Sequence, residues 1–452
     1  MQNPRELHLN TNVLNSGKHD AGWRLQDDPL SYLDIGYYQH IAQIAERGTL
    51  DAVFLADGLS VGPEIGQRPW NSLDPTVILA AISATTSRIG LVATASTTFN
   101  DPYNLARRFA SLDQISGGRA SVNVVTTQDS RSAANFGLAE HPDPADRYAR
   151  AEEFVDVMIK LWDSWEDDAL VANQQSGRFA DTERVHTIDH HGSNFSVAGP
   201  LNVPRTPQGR PVLVQAGSSE AGRRLAARTA DAVFTVQNTL EEAKQFYNEM
   251  KRRVQGFGRD PDTLLIMPGL LPIVGSTEAE ALARQEELDS FVDFDRELVR
   301  FATRFGFPPG VLALDEPIPE DVLDNVAHTR GSRGFFDGMR NLARRERLTV
   351  RDLIRANGAG HRQVVGAPEQ IADTIEHWFV ERAADGFNLS GDYFPSGLEL
   401  FVDHVVPLLR KRGIFRTEYT GTTLRDHLGL PRPASQYTGR QPGRALTAGS
   451  LV

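Results

Sequence analysis

Short runs of β-branched and apolar residues alternate along this chain with longer stretches whose apolar positions recur at helical spacing. The first apolar run is Leu7 to Leu14, and a helix follows over Tyr37 to Arg47 with Ile41, Ile44 and Ala45 on one face. Asp51 to Asp57 is an extended run ending in a carboxylate. Asp74 then precedes Pro75, a capping residue before proline that opens the next helix. Ile89 to Ala95 predicts a strand, Pro102 to Ile115 a helix closed by Gly117-Gly118, Ala120 to Thr127 a strand and Arg147 to Trp165 a long helix. The alternation breaks over residues 168–210, rich in Gly, Pro, His, Asn and Ser. It resumes with a strand at Pro211 to Gly217, a helix at Ser219 to Arg228, a strand at Asp231 to Val236, a helix at Leu240 to Val254 and a strand at Leu264 to Val274. Residues 276–360 read as a mostly helical second insertion. A helix at Pro368 to Arg382, a strand at Gly386 to Asp392 and a last helix at Leu398 to Arg412 complete the pattern, leaving a tail at 413–452.

Repeated strand–helix units imply the α/β class: a parallel sheet covered by helices. About eight such units close into a (β/α)8 TIM barrel of about 250 residues, and the two excursions and the tail account for the rest. The chain, residues 1–452, is expected to be a single barrel domain. An open doubly wound sheet is the alternative, and the absence of a G-x-G-x-x-G fingerprint after an early strand weakens it.

Composition narrows the function. The formal net charge of −12 repels nucleic acid and anionic membranes, so a small-molecule partner is expected. Cysteine is absent, which removes disulfides, thiolate metal sites and a cysteine nucleophile and fits a cytoplasmic protein. No apolar run approaches the roughly 18 residues of a membrane span, and Met1 to Glu6 lacks a signal-peptide core.

Reactive groups of a β/α barrel lie at the C-terminal strand ends. That rule selects Asp57, Thr94, Ser96, Thr97, Asn123, Thr126, Thr127, Ser218, Ser219, Gln237 and Asn238. The set is polar and nearly uncharged. It suits a hydrogen-bonding ring system better than hydrolysis, which needs paired carboxylates, an activated nucleophile or a metal. His190-His191 reads as a solvated or backbone-bonded pair rather than a metal site, and no metal is expected. Gly217-Ser218-Ser219-Glu220 is the best anion site: a strand ends, two hydroxyls follow and a helix begins with free backbone N–H groups. The same pattern also describes simple helix capping. Tyr148, one turn into its helix, either reaches the same phosphate or packs at a helix interface, the commoner role of such a tyrosine. His19 and Trp23 either line the barrel mouth or cover its rim.

The closely spaced set Asp51 to Asp57, Leu91 to Phe99, Pro102 to Arg107, Ser111 to Arg119 and Asn123 to Thr127 resembles the nitrilotriacetate monooxygenase (component A) branch of the bacterial luciferase-like superfamily. The resemblance runs on through Gln208 to Pro211, Gln215 to Ser219, Val364 to Ala372, Gly386 to Leu389 and Arg416 to Asp426. It implies a luciferase-like TIM barrel acting as the oxygenase component of a two-component flavin monooxygenase. Reduced FMN would come from a separate NAD(P)H-dependent flavin reductase by diffusion. One atom of O2 would pass to a small organic substrate through a C4a-peroxyflavin. A homodimer or homotetramer is expected by the same analogy. Asp57, Thr94 and Asn123 match positions around the isoalloxazine ring, Tyr148, Ser218 and Ser219 match the phosphate grip, and His19 falls where the family has a histidine facing the reaction chamber. Pro144 stands where many members place a flavin-contacting histidine, the available one here being His141. Ser390 to Tyr393 departs from the usual apolar pattern and is expected to shape the substrate site. Both excursions are expected to close the barrel mouth against water. Deazaflavin-dependent hydride transfer on the same fold, a non-catalytic flavin-binding relative and a metal-dependent barrel hydrolase are the competing readings.

Overall fold

The computed structural model describes residues 5–70, 73–325, 333–356 and 360–438. Eight parallel strands form the barrel: β1 (His8–Val13), β2 (Ala52–Leu55), β3 (Gly90–Ser96), β4 (Ala120–Val125), β5 (Val212–Gln215), β6 (Ala232–Thr235), β7 (Leu265–Val274) and β8 (Gly386–Leu389). Each pairs with its sequence neighbour, and β1 also pairs with β8, His8 opposite Gly386, so the sheet closes on itself. Closure rules out the open doubly wound alternative and leaves no free barrel edge. Eight helical segments return the chain: α1 (Ile35–Arg47), α2 (Pro75–Ser83), α3 (Pro102–Ser116), α4 (Pro144–Asp163), α5 (Glu220–Thr229), α6 (Leu240–Gly256), α7 (Pro368–Val380) and α8, which runs from Ser396 to Lys411 with a π turn at Phe401–Val405. Their caps are written in the sequence. The carboxylates of Asp74 and Asp101 each accept from the first free N–H groups of their helices, and Gly117 ends α3 at φ 71°, a left-handed conformation that favours glycine.

Side chains alternate in and out along each strand. The inward set splits into two zones. Near the strand starts, Ala52, Val92, Val212, Ala232 and Leu265 make an apolar plug, closed from below by Leu424, Leu428 and Leu430 of the C-terminal tail. Nearer the strand ends the inward residues turn polar. Asn10 of β1 reaches Met267 of β7 across the interior, and Asn123 donates to Thr94 at 3.0 Å. The outward faces pack on the helices in one large core containing Leu9, Leu91, Phe109, Phe154 and Phe387.

Three elements differ from the sequence reading. The run Leu7 to Leu14 is not uniformly apolar in its role: His8, Asn10 and Asn12 face inward while Leu7 and Leu9 join the outer core. Helix α4 starts at Pro144 rather than Arg147, because proline supplies the first helical residue without needing a hydrogen bond. An additional strand, Arg362–Gly366, pairs with the upper half of β7, Leu270 opposite Arg362, on the edge that β6 leaves at Pro268. Its five residues are too few to separate from the neighbouring helical pattern.

The excursion at 168–210 does not reach the mouth. It follows α4 and precedes β5, which puts it at the base and flank. Gln208 donates to Asp113 and to the Ala120 carbonyl beneath β4, Arg205 pairs with Asp163, and Asn194 donates to Glu153 on the outer face of α4. The insertion after β7, by contrast, leaves from the C-terminal end. It begins with helix Glu278–Asp289, and its helices Phe294–Phe305, Glu320–Asn325, Arg333–Glu346 and Val350–Ala356 build a small core around Phe301, Phe305, Met339 and Leu353. They lie over the ends of β1 and β8, where Asp289 meets His19 and Arg284 meets Asp392.

Candidate active site

The polar floor of the mouth is built by parallel register. Thr94 lies opposite Asn123, and Asn10 opposite Asn388, so neighbouring strands bring these side chains to one level. Several are buried with unanswered polar atoms. Asn123 and Asn12 are each 3% exposed and leave their Oδ1 atoms without a partner, while Asn388 is 1% exposed and leaves both amide atoms so. A buried polar atom left unpaired costs about 1–3 kcal/mol, so a cluster of them is a cradle awaiting a hydrogen-bonding ligand. Asp57, two residues past β2, is half-buried at the same end. Burial, helped by the neighbouring Asp74 carboxylate, pushes its carboxyl up to about 6.

The expected anion site lies where β5 meets α5. Ser219 is the N-cap: its Oγ accepts from the Gly222 N–H at 3.2 Å. The same oxygen lies 3.0 Å from the Tyr148 hydroxyl on α4. Residues 71 positions apart in the chain therefore converge on one helix N-terminus. Tyr148 is aimed by its neighbour: buried Arg147 donates to the carbonyls of Thr126 (3.0 Å) and Thr127 (2.7 Å), tying the start of α4 to the exit of β4. Thr127 is held there at φ 49° and donates to Ser96 at 2.7 Å. Space is kept open by glycine, since a Cβ on Gly222 would sit 3.0 Å from the Tyr148 hydroxyl oxygen. Ser218 is half-buried beside this pair, and its carbonyl accepts from Arg223 at 2.9 Å.

His19 sits on the opposite rim. Its Nδ1 accepts from the Ala21 N–H at 3.1 Å, which places the proton on Nε2, 3.3 Å from Asp289 of the insertion. Pro144 is exposed at the first turn of α4, and His141 lies inward of it, bonded to the Thr127 carbonyl at 3.0 Å. Trp23 covers the rim, donating to the Gln67 carbonyl. Asp392, expected in the substrate wall, is fully buried against Arg284 and so fastens the insertion to β8. Away from the mouth, His190 bridges Lys160 and Glu153. Among the described residues no three His, Asp or Glu side chains converge as they would around a metal. A concavity of about 460 Å3 lined by Tyr247, Lys251 and Pro261 lies on α6 and the base of β7, at the far end from these groups.

The luciferase-like monooxygenase family profile matches residues 19–386. The chain belongs to the luciferase-like monooxygenase family. It is 47% identical over 434 residues to the nitrilotriacetate monooxygenase component A of Aminobacter aminovorans, covering 92% of this chain and 95% of that protein. The EDTA monooxygenase structure from Chelativorans sp. BNC1 superposes with a TM-score of 0.79 at 35% identity, over 95% of this chain and 99% of that one. A riboflavin lyase structure holding modified FMN and riboflavin superposes with a TM-score of 0.82 at 32% identity, over 96% of this chain and 98% of that one. The enzyme is thus a flavin-dependent monooxygenase by class, on a barrel that its relatives share.

Sequence reasoning missed Asn10, Asn12 and Asn388. The signal was present: His8, Asn10 and Asn12 recur with period two, the spacing of one strand face. It was masked by counting the run as apolar and by searching strand ends alone.

Proposed function

We propose that the enzyme is the oxygenase component of a two-component system. Reduced FMN from a separate NAD(P)H-dependent reductase and O2 would be its co-substrates, and one oxygen atom would enter a small organic molecule. The observation that carries this reading is the Ser219–Tyr148 hydroxyl pair, 3.0 Å apart at the N-terminus of α5. Such an arrangement suits a phosphate monoester. The unanswered amides of Asn12, Asn123 and Asn388 fit a planar ring with alternating donors and acceptors.

Bound reduced flavin would supply the electrons that activate oxygen. The chain does the rest. Ser218, Ser219 and Tyr148 would hold the phosphate, Asn123 and Thr94 would hydrogen-bond the ring, and Asp57 would border it. Pro144 offers only its ring and carbonyl on that flank, where His141 is turned toward Thr127. The insertion after β7 keeps bulk water from the reaction chamber. His19 holds a proton on Nε2 in hydrogen-bond reach of Asp289, and we assign it proton delivery on the substrate side.

Anaerobic titration with FMN and FMNH2 tests the grip. Ser219→Ala and Tyr148→Phe should each weaken binding by about tenfold or more, as expected for a hydrogen bond to a charged group worth about 1.5–3 kcal/mol. Their effects should not add, since the two hydroxyls share a hydrogen bond. Absence of saturable flavin binding to the unaltered protein would overturn the reading.

A further inference from the structure

A buried acceptor stands beside the start of α4, and neither the amide floor nor the Ser219–Tyr148 pair uses it. His141 lies just before that helix, and its Nε2 is 3.0 Å from the Thr127 carbonyl oxygen. A carbonyl oxygen only accepts, so the imidazole proton sits on Nε2. In the neutral ring Nδ1 then carries a lone pair and no proton. That atom is closed off from solvent and meets no hydrogen-bond partner among the described residues.

The imidazole is held as it stands. Turning it to give Nδ1 another partner would break the bond from Nε2 to Thr127. Phe99 lies on one flank of the ring, centroids 6.0 Å apart, and stacks in turn on Phe136 at 4.6 Å. That flank is apolar. The Thr127 carbonyl also accepts from Arg147 at 2.7 Å, so one oxygen ties both His141 and the start of α4 to the exit of β4.

This position lies between two groups already described. Thr127 follows β4, whose Asn123 donates to Thr94 in the floor. Arg147, which shares the Thr127 carbonyl with His141, adjoins Tyr148 of the hydroxyl pair at α5. His141 therefore stands at the joint between floor and pair. A ligand with its ring on the floor and its phosphate at Ser219 threads its connecting chain past this joint. In FMN that chain is ribityl, a run of hydroxyl-bearing carbons.

Donor and acceptor roles decide which part of such a ligand answers Nδ1. Ionised phosphate oxygens accept and do not donate, so the phosphate cannot. A hydroxyl can donate, and a buried acceptor gains most from a partner that water does not supply. We propose that His141 Nδ1 accepts a hydrogen bond from a ribityl hydroxyl of the bound flavin, so that this residue reads the sugar chain while Ser219 and Tyr148 read the phosphate. The assignment rests on reading the barrel mouth as a flavin site. Pro144, at the first turn of α4, has no polar side-chain atom with which to make this bond.

Fluorescence titration with FMN, riboflavin and lumiflavin tests the proposal, since the three share a ring and lumiflavin carries a methyl in place of ribityl. His141→Leu should weaken FMN and riboflavin by the same factor, roughly tenfold, and leave lumiflavin unchanged, which also shows the floor intact. Ser219→Ala should weaken FMN and spare riboflavin. His141→Asn, which keeps an acceptor near the Nδ1 position, should recover part of the loss. In protein carrying isotopically labelled histidine, FMN should shift the Nδ1 nuclear magnetic resonance of His141, identified by its disappearance in His141→Leu. Equal FMN affinity in the wild type and His141→Leu would overturn the proposal. So would a loss confined to FMN, an equal loss for lumiflavin, or an Nδ1 resonance that FMN leaves in place. Failure of the unaltered protein to take up any flavin would instead count against the flavin reading itself.

Discussion

Asp57 shows how the site sets the state of a single group. Its carboxyl is raised to about 6, first by burial and then by Asp74. A carboxyl raised on folding favours the folded state below its unfolded value near 4, and that advantage is lost as pH rises through 6. Asp57→Asn should therefore stabilise the enzyme at pH 7.5 by about 1 kcal/mol, after allowing for partial solvation. The gain should shrink as pH falls through 6 and vanish near pH 4, and urea midpoints at the two pH values check it. That polar residues stand at the strand ends was legible, because the strand–helix alternation marks where each strand stops. The interior amides of Asn12 and Asn388 were not. Their significance lies in what fails to reach them, and only a packed interior shows an unanswered atom. Nor could spacing reveal that Ser219 and Tyr148 share a hydrogen bond, since their approach depends on how α4 and α5 pack.

Helix Glu278–Asp289 illustrates how one element is placed. Arg284 pairs with Asp392 and stacks on Tyr393, its guanidinium 4.2 Å from the ring centroid. The carboxylate is fully buried and the arginine nearly so, a pairing whose disruption is strongly felt locally. Asp392→Asn should speed hydrogen exchange across residues 278–289 without altering exchange in β3 or β4. With turnover established, it should also raise the share of oxygen lost as hydrogen peroxide, read by catalase-coupled oxygen uptake. The strand–helix alternation was legible because amphipathic spacing reports which face meets the core. The position of the two excursions relative to the mouth was not, for composition marks a break in the pattern without saying which end of the barrel it serves. Connectivity decides: a segment after a strand leaves from the reactive end, and one after a helix lies at the base.

At the scale of the whole molecule, the barrel is plugged below and open to chemistry above. Leu424, 1% exposed, packs under β3, where a Cβ on Gly90 would come within 2.5 Å of its Cδ1. Arg425 fastens the same turn to Asp231 at 2.8 Å. Leu424→Ala should lower stability by about 2–4 kcal/mol in urea unfolding while leaving FMN affinity unchanged, separating the plug from the site. Among the described residues no helix is long and apolar enough to cross a membrane. The chain by itself determined the element order, the barrel class and the polar, nearly uncharged set at the strand ends, because periodicity and capping act over neighbouring residues. Only the tertiary structure decided which polar groups go unanswered and which excursion roofs the mouth. Those properties arise between residues hundreds of positions apart, brought together when the last strand closes on the first.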